Sequence, residues 1–477
     1  MSDNNLDNQN NSFENIETDM TRGVTLLTGE PKKAIINLSM PMIAAMLLFS
    51  VYNLVDAVWV AGLGQDALAA VGFVMPVFMI LMGLGNGLGA GVTSAISRLI
   101  GSKKKAEAEN AAVHSFLLST IISVVLTLPF VFLLEPIVSA MEAGSATEPA
   151  VIYGQIVFAG TILFLFSNIG YAVLRAEGDM KRTMYAMAVS AVINLVLDPV
   201  LIYWMDWGIA GAAWATIISV AVVNFILLYW FFVKKDCYLS IRLSAFSYKG
   251  SILKDILGVG IPASLEFMLM SLVLLVINYI LVDVSGTDAV AVYTGGWRVV
   301  MFAIIPLAAI ATAAVSVVGA NYGARKFENL KIILNYSIKL GILISVVTAV
   351  VTWIFASQIT ALFTYTPESV HLAPLFIGFL QTMCLFYPFV ALGMMSSSIF
   401  QGTGRGVTSF IINVFRNLVF IALFAYVLGE VLKMGQYGVW YGIVLGDIFG
   451  GILAYTWAYV YLRVLMRHEE ENKASAA

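Results

Sequence analysis

The chain has 477 residues, 60% of them hydrophobic and only 12% charged, with a net charge of −3 and a mean hydropathy of +0.89. So apolar a chain reads as one polytopic membrane protein rather than two or three soluble domains, and its near-neutral charge argues against nucleic acid as a partner. Two cysteines, Cys237 and Cys384, and three histidines, His114, His371 and His468, show no redox or metal-ligand spacing, so neither a cofactor nor an enzyme is expected.

Residues 1–30, rich in Asn, Asp and Ser, read as a disordered cytoplasmic tail. Twelve apolar segments long enough to span follow, at about 20 residues each. The first six run Ala34 to Val60, Leu68 to Ile96, Ala111 to Leu134, Val151 to Leu174, Met184 to Tyr203 and Ile209 to Val233. The second six are Ile256 to Val282, Val290 to Ala320, Leu330 to Phe355, Leu372 to Phe400, Val407 to Leu428 and Gly438 to Val464. The reading is an all-α membrane protein: a bundle over 31–233, a basic cytoplasmic linker over 234–254, a second bundle over 255–465 and a cytoplasmic tail over 466–477.

Sorting Lys and Arg between alternate loops places 22 of the 26 on one side and Lys433 alone on the other. That side holds both termini, so both are expected in the cytoplasm of a multi-pass cell-membrane protein.

Short motifs recur. Gly64-Gln-Asp-Ala-Leu-Ala answers Gly286-Thr-Asp-Ala-Val-Ala, and Gly101-Ser-Lys-Lys answers Gly323-Ala-Arg-Lys. Pro41 answers Pro262, Leu174-Arg-Ala-Glu-Gly answers Phe400-Gln-Gly-Thr-Gly, and Trp207-Gly208 faces Tyr437-Gly438. A six-helix unit is therefore repeated in parallel, two bundles about a central cleft. Gly83, Gly87 and Gly91 share one helix face, a signature of close helix packing.

The intramembrane polar residues concentrate in the first half. A carboxylate at the bilayer centre costs about 2.5–3.5 kcal/mol on insertion scales. Asp198 sits in such a run, Asn194 shares its face four residues earlier, and Pro199 behind it frees the carbonyl of Leu195. Tyr52, Asn53 and Asp56 share a face on the first segment, and Asp56 and Asp198 both lie in the outer half of their helices. If they approach one another in low dielectric they will not both stay ionised. The pair then carries a proton, or with Asn194, Thr216 and a free carbonyl ligates Na⁺. The plainer alternatives are water-exposed acids at misjudged helix ends, Asn194 and Thr216 as interhelical hydrogen bonds, and Tyr52, Tyr153 and Asn168 as packing. In the second half Ile277 stands opposite Asp56, and Ile421 or Phe424 opposite Asp198. That half holds Glu266, Arg298, Arg416 and Asp447 instead. Arg416 with Asp447 or Glu266 reads as a structural ion pair, while Arg298 either lines the cleft or snorkels to the interface.

These residues resemble the MATE (multidrug and toxic compound extrusion) transporters, over about residues 30 to 465. The likeness rests on Pro41, on Tyr52-Asn-Leu-Val-Asp56 and the Val-Ala-Gly-Leu-Gly-Gln-Asp-Ala-Leu-Ala-Ala-Val-Gly72 that follows, and on Leu174-Arg-Ala-Glu-Gly-Asp179. It rests further on Ile193-Asn-Leu-Val-Leu-Asp-Pro199 and Trp207-Gly-Ile-Ala-Gly-Ala-Ala-Trp-Ala-Thr216. The resemblance implies export of amphipathic, often cationic compounds by cation antiport. In the archaeal and DinF-like branch, residues matching Asp56, Asn194, Asp198 and Thr216 form the cation-coupling cluster, with H⁺ or Na⁺ as the ion. Tyr52, Tyr153 and Asn168 then surround the drug cavity, with Trp59 and Arg298 as further lining, and Pro41 is the kink that moves. The chain departs from the NorM-like branch, whose glutamate in segment seven and aspartate in segment ten are replaced by Met270 or Ser271 and about Gly393. The expected protein is thus a monomeric secondary antiporter in the lipid bilayer. A lipid-linked oligosaccharide flippase of the same superfamily and a passive channel are the alternatives.

Overall fold

The computed structural model describes residues 20–476 apart from 243, 245 and 368, and no strand occurs among them. Inside lipid a backbone can satisfy its own polar groups only as helix or closed barrel, and these aliphatic runs form helices. In chain order they are α1 (Arg22–Thr28), α2 (Pro31–Ala61), α3 (Gln65–Gly101), α4 (Lys105–Phe132), α5 (Leu134–Ala140), α6 (Thr147–Ala159), α7 (Thr161–Ala176), α8 (Met180–Trp204) and α9 (Gly208–Lys234). The second half holds α10 (Gly250–Gly323), α11 (Phe327–Ile354), α12 (Ala356–Ala361), α13 (Ala373–Met383), α14 (Tyr387–Gly402), α15 (Gly406–Val431) and α16 (Gly435–Ala476).

Nine of these are long and apolar enough to span. Two more spans are pairs bent by 47° and 48°, α6 with α7 and α13 with α14. Helix α10 is 74 residues long, about 110 Å at the helical rise, whereas a bilayer core is about 30 Å thick. It is two spans joined at Gly286, whose φ of 77° and ψ of −168° leave the helical region. Among the described residues the spans therefore number twelve, in agreement with the sequence reading.

The turns show the repeat in the backbone itself. Gly64 (φ 105°) and Gly286 (φ 77°) are 222 residues apart, as are Lys103 (59°) and Arg325 (56°). Gly178 (78°) and Gly404 (83°) are 226 apart, while Asp206 and Gly208 (55°, 53°) match Lys433 and Gly435 (54°, 62°) at 227. The last match corrects the sequence alignment: Gly208 pairs with Gly435, and Gly438 pairs with Gly211. A Cβ on Gly211 would meet the backbone of Leu201 at 2.7 Å, and one on Gly438 that of Leu428 at 2.4 Å, again 227 residues apart. A π turn closes α8 at Val200–Trp204, and its counterpart closes α15 at Val427–Val431. A further π segment in α15, Val414–Phe420, takes up the one residue by which 226 becomes 227. Counted in this register, Asp198 stands opposite buried Ala425, not Ile421 or Phe424. Counted from the glycine turn, its nearer landmark, Asp56 stands opposite Asn278 rather than Ile277.

The first half has two larger apolar cores, one around Val74, Phe158 and Leu165 and one around Val92, Val173 and Leu227 that also takes in Ile252 and Ile256 at the start of α10. The second half packs a single large core around Leu307, Phe379, Tyr387 and Trp440, which also takes in Leu27, Ile35, Leu38 and Met42 from α1 and α2. The two halves meet along the part of α3 nearer its Gly101 end, the end that bears the basic loops. Small residues let the backbones close there. A Cβ on Gly87 would strike Ser264 of α10, one on Gly91 the Ile256 carbonyl, one on Gly101 the Ala320 carbonyl and one on Gly323 the Arg98 carbonyl. The last two contacts are reciprocal, as a two-fold axis between the halves requires. Ser94 Oγ donates to the Gln401 carbonyl at 2.5 Å, and Arg98 reaches Asp255 at 3.6 Å.

Helix α1 lies within the stretch expected to be a disordered tail, yet it is folded against both halves; residues 1–19 lie outside the described residues. Leu27 and Val24 are buried. Gly23 abuts the backbone of Glu177 and Gly178, while Asn321 Nδ2 and Lys326 Nζ donate to the carbonyls of Leu27 (3.4 Å) and Thr28 (3.2 Å). At the other terminus, residues 466–476, also expected to be tail, continue α16.

Candidate functional site

The site forms where α2, α6, α8 and α9 converge, at the ends of α2 and α8 remote from the basic loops. Asp56 is five residues from the end of α2 and Asp198 six from the end of α8, each within about 10 Å of its terminus. Asp198 is fully buried and Asn194 nearly so. With its amide turned to satisfy both neighbours, Asn194 donates from Nδ2 to Asp198 Oδ2 at 2.9 Å and accepts from the backbone N of Thr216 at 3.2 Å. The Thr216 hydroxyl donates to the Ala212 carbonyl at 3.1 Å.

The Asp56 and Asp198 carboxyls lie within side-chain hydrogen-bond reach of each other. Neither can donate while ionised, and Asp198 Oδ1 is buried with no other partner. One proton between them completes the pair. Tyr52 and Tyr153 lie near enough to interact electrostatically with both carboxyls, and Tyr171 of α7 extends the polar group beyond Tyr52. Tyr153, like Trp59, Leu63 and Ile209, also packs against the small core of Val60, Ala67, Ile202 and Ala212. Trp59 sits one turn beyond Asp56, its carbonyl accepting from the Tyr203 hydroxyl at 2.6 Å.

Four sequence candidates stand apart from this group. Asn53 is exposed and bonds back to the Phe49 carbonyl at 2.7 Å, so it does not join the face of Tyr52 and Asp56. Asn168 donates to the Phe164 carbonyl and lies against Gly85 of α3. Pro41 is fifteen residues before Asp56, about 22 Å along α2. Arg298 is exposed on the second half and forms no ion pair among the described residues.

The second half has a different polar centre. Glu266 accepts from Ser409 Oγ at 3.0 Å and Gln401 Nε2 at 3.5 Å, and Asn413 and Ser397 continue the network. Arg416 and Asp447, both buried, pair at 3.5 Å, the partner the sequence proposed first. Asp447 has no other hydrogen bond. Donors surround Glu266 and a cation stands beside Asp447, whereas in the first half one carboxyl faces the other.

Sequence reasoning missed two charged groups at the basic end. Arg175, counted there as a loop cation, sits on the last turn of α7 with its guanidinium against Gly89. Glu177, in the turn after it, is buried and accepts from the backbone N of Leu239 and of Tyr238, each at 3.1 Å, tying the linker to the first half. Burial dominates and pushes its carboxyl up to about 8, against the lowering effect of those two bonds. The only sequence signal for either was their place in Leu174-Arg-Ala-Glu-Gly.

Known proteins share this fold. A family profile described as MatE matches residues 41–200 and again 262–427, one stretch in each half. The multidrug export protein MepA of Staphylococcus aureus (strain MSSA476) is 28% identical over 380 residues, covering 78% of this chain and 82% of MepA. Among solved structures, an outward-facing multidrug resistance MATE family transporter of the MOP superfamily superposes with a TM-score of 0.91 at 41% identity. It covers 94% of this chain and 99% of its own. A MOP superfamily transporter from Pyrococcus furiosus, in which a reverse polarity of the binding pocket suggests a different function, matches with the same score, identity and coverage. Twice-matched profile, twelve-span fold and these relatives agree: the chain belongs to the MATE family of transporters, and is a multi-pass membrane protein of multidrug export by alternating access, not an enzyme.

Proposed function

We propose that the chain exports amphipathic, cationic organic compounds in exchange for protons, and that Asp56 and Asp198 carry the coupling proton. The single observation behind this reading is the carboxyl pair, buried at Asp198 and half-buried at Asp56, in which Asp198 Oδ1 lacks any donor unless one of the two acids is protonated. The Na⁺ alternative needs oxygen ligands converging on one point. The Asn194 amide offers nitrogen or oxygen to Asp198 by a half-turn, so the two ions are separated by the gradient experiment.

The basic end is taken as cytoplasmic by the positive-inside rule, with both termini on that side. The close packing of the halves there then seals the inner face, and the pair faces the outside. Protonation from outside removes the charge of the pair, lets α2 shift at Pro41, where the ring interrupts the hydrogen-bond ladder, and closes the cavity. Tyr52, Tyr153 and Trp59 present aromatic faces that suit a lipophilic cation released at this stage. Asn168 and Arg298 serve as more distant lining, and the monomer is the working unit.

Proteoliposomes with imposed pH or Na⁺ gradients test the reading. A pH gradient alone should drive efflux of a lipophilic cationic dye, and Asp56→Asn or Asp198→Asn should each reduce it at least about tenfold, the scale of one lost charge interaction. Undiminished gradient-driven efflux in both variants would sink the mechanism, and drive by Na⁺ alone would replace the proton with sodium.

A further inference from the structure

We propose that Tyr203 is a positioning residue for the carboxyl pair, a clasp that holds the outer end of α2 against α8; the proposal rests on the coupling role given to Asp56 and Asp198. The Tyr203 hydroxyl donates to the Trp59 carbonyl at 2.6 Å, and the two rings meet edge to face with centroids 6.1 Å apart. Trp59 is three residues beyond Asp56 and Tyr203 five beyond Asp198, so the bond bridges the two acid-bearing helices one turn past the acids.

Two local features make the reach. The π turn Val200–Trp204 winds more loosely than an α-helix, which shifts the phase of Tyr203 within it and brings it round to α2. Gly62 leaves room for it: a Cβ there would lie 2.2 Å from the Tyr203 hydroxyl. The second half repeats the π turn but not the clasp. Glu430 occupies the position of Tyr203, and Leu281, buried in the core, that of Trp59.

Holding α2 on α8 keeps the two carboxyls in contact. The titratable groups facing the pair are Tyr52 of α2 and Tyr153 of α6, with Tyr171 of α7 beyond Tyr52. None of these is a cation that would keep the carboxyls together once the clasp is lost. Releasing it lets the acids separate, and a shared proton is then held less tightly.

Purified full-length protein in proteoliposomes, assayed for dye efflux across a range of pH, tests this in four variants. Tyr203→Phe removes the bond. Gly62→Ala displaces the hydroxyl without altering Tyr203. Each should move the half-maximal point of the pH profile toward acid, by about fivefold in proton concentration, the scale of one net hydrogen bond. The third variant, Asp198→Asn, should lose the pH response, and the fourth, Tyr203→Phe in the Asp198→Asn background, should add no further shift. The clasp is overturned if Tyr203→Phe and Gly62→Ala both fold and keep the wild-type profile. It is also overturned if the Tyr203→Phe shift persists without Asp198. Loss of the pH response in Asp198→Asn alone would leave the coupling reading standing while the clasp fails. An intact response in Asp198→Asn would instead remove the coupling reading and the clasp with it.

Discussion

The two halves share a backbone and divide the chemistry. Four of their turns match in left-handed conformation, from Gly64 and Gly286 to Gly208 and Gly435, while Glu142 and Gly144 have no such match among the described residues. Yet where the first half has Asp56 and Asp198, the second has Asn278 and Ala425. The acids of the second half, Glu266 and Asp447, sit elsewhere and are met by Ser409, Gln401 and Arg416. Symmetry fixes where helices kink and where backbones touch. It does not fix where acids stand: the first half sets two carboxyls against each other, whereas the second sets Glu266 among donors and Asp447 beside Arg416.

The comparison breaks most visibly if acids in both halves behave alike. Asp198→Asn should cut gradient-driven efflux at least about tenfold, whereas Glu266→Gln, which keeps the shape and loses the charge, should retain at least about half, since neutral hydrogen bonds can replace those it accepts. Equal loss in both, read in the same vesicles, would end the division of labour.

A second measurement sharpens the structural side. Arg416→Ala leaves Asp447 buried without its cation and should cost about 3–5 kcal/mol, seen as a large drop in the thermal midpoint of the protein in detergent. Replacing both, Arg416→Met with Asp447→Leu, should recover most of the loss, because the pair supports packing rather than a proton path. Failure of the double variant to recover would give this pair a role beyond structure.

The smallest effect concerns the basic end of the first half. The folded carboxyl of Glu177, near 8, lies above the ordinary glutamate value of 4.5, so the folded state binds the proton more tightly than the unfolded chain. Stability from this group is therefore full below about pH 4.5 and falls as pH rises toward 8. Glu177→Gln should flatten that decline, measured as the thermal midpoint at pH 5 and pH 8, and a wild-type slope in the variant would contradict it.

Much of this was legible in the residues. Hydropathy gave twelve spans because lipid demands long apolar helices, and the loop charges sorted them. Burial cost singled out Asp56 and Asp198, and helical spacing put Asn194 beside one of them. What stayed hidden depends on local winding. The register from about residue 194 onward needs the π segment Val414–Phe420, and no residue pattern marks a π turn. Tyr203 escaped notice for the same reason, since ordinary α-helical phase points it elsewhere. Arg175 was assigned to a loop because a long side chain folds back into the bundle without any change in sequence spacing. Helix α1 was lost to composition: its two buried residues, Val24 and Leu27, are too few to register as a span.

Those residues at the start of the chain bear on how the molecule is assembled. Leu27, Ile35, Leu38 and Met42 belong to the first half by sequence but are buried in the core of the second. The first half is synthesised earlier and has cores of its own, so it can form as a unit with one face unfinished. That face, offered by α1 and the start of α2, is the docking strip on which α10 must settle when it enters the membrane. The core of the second half thus closes only with residues that the chain supplies more than 200 positions before α10.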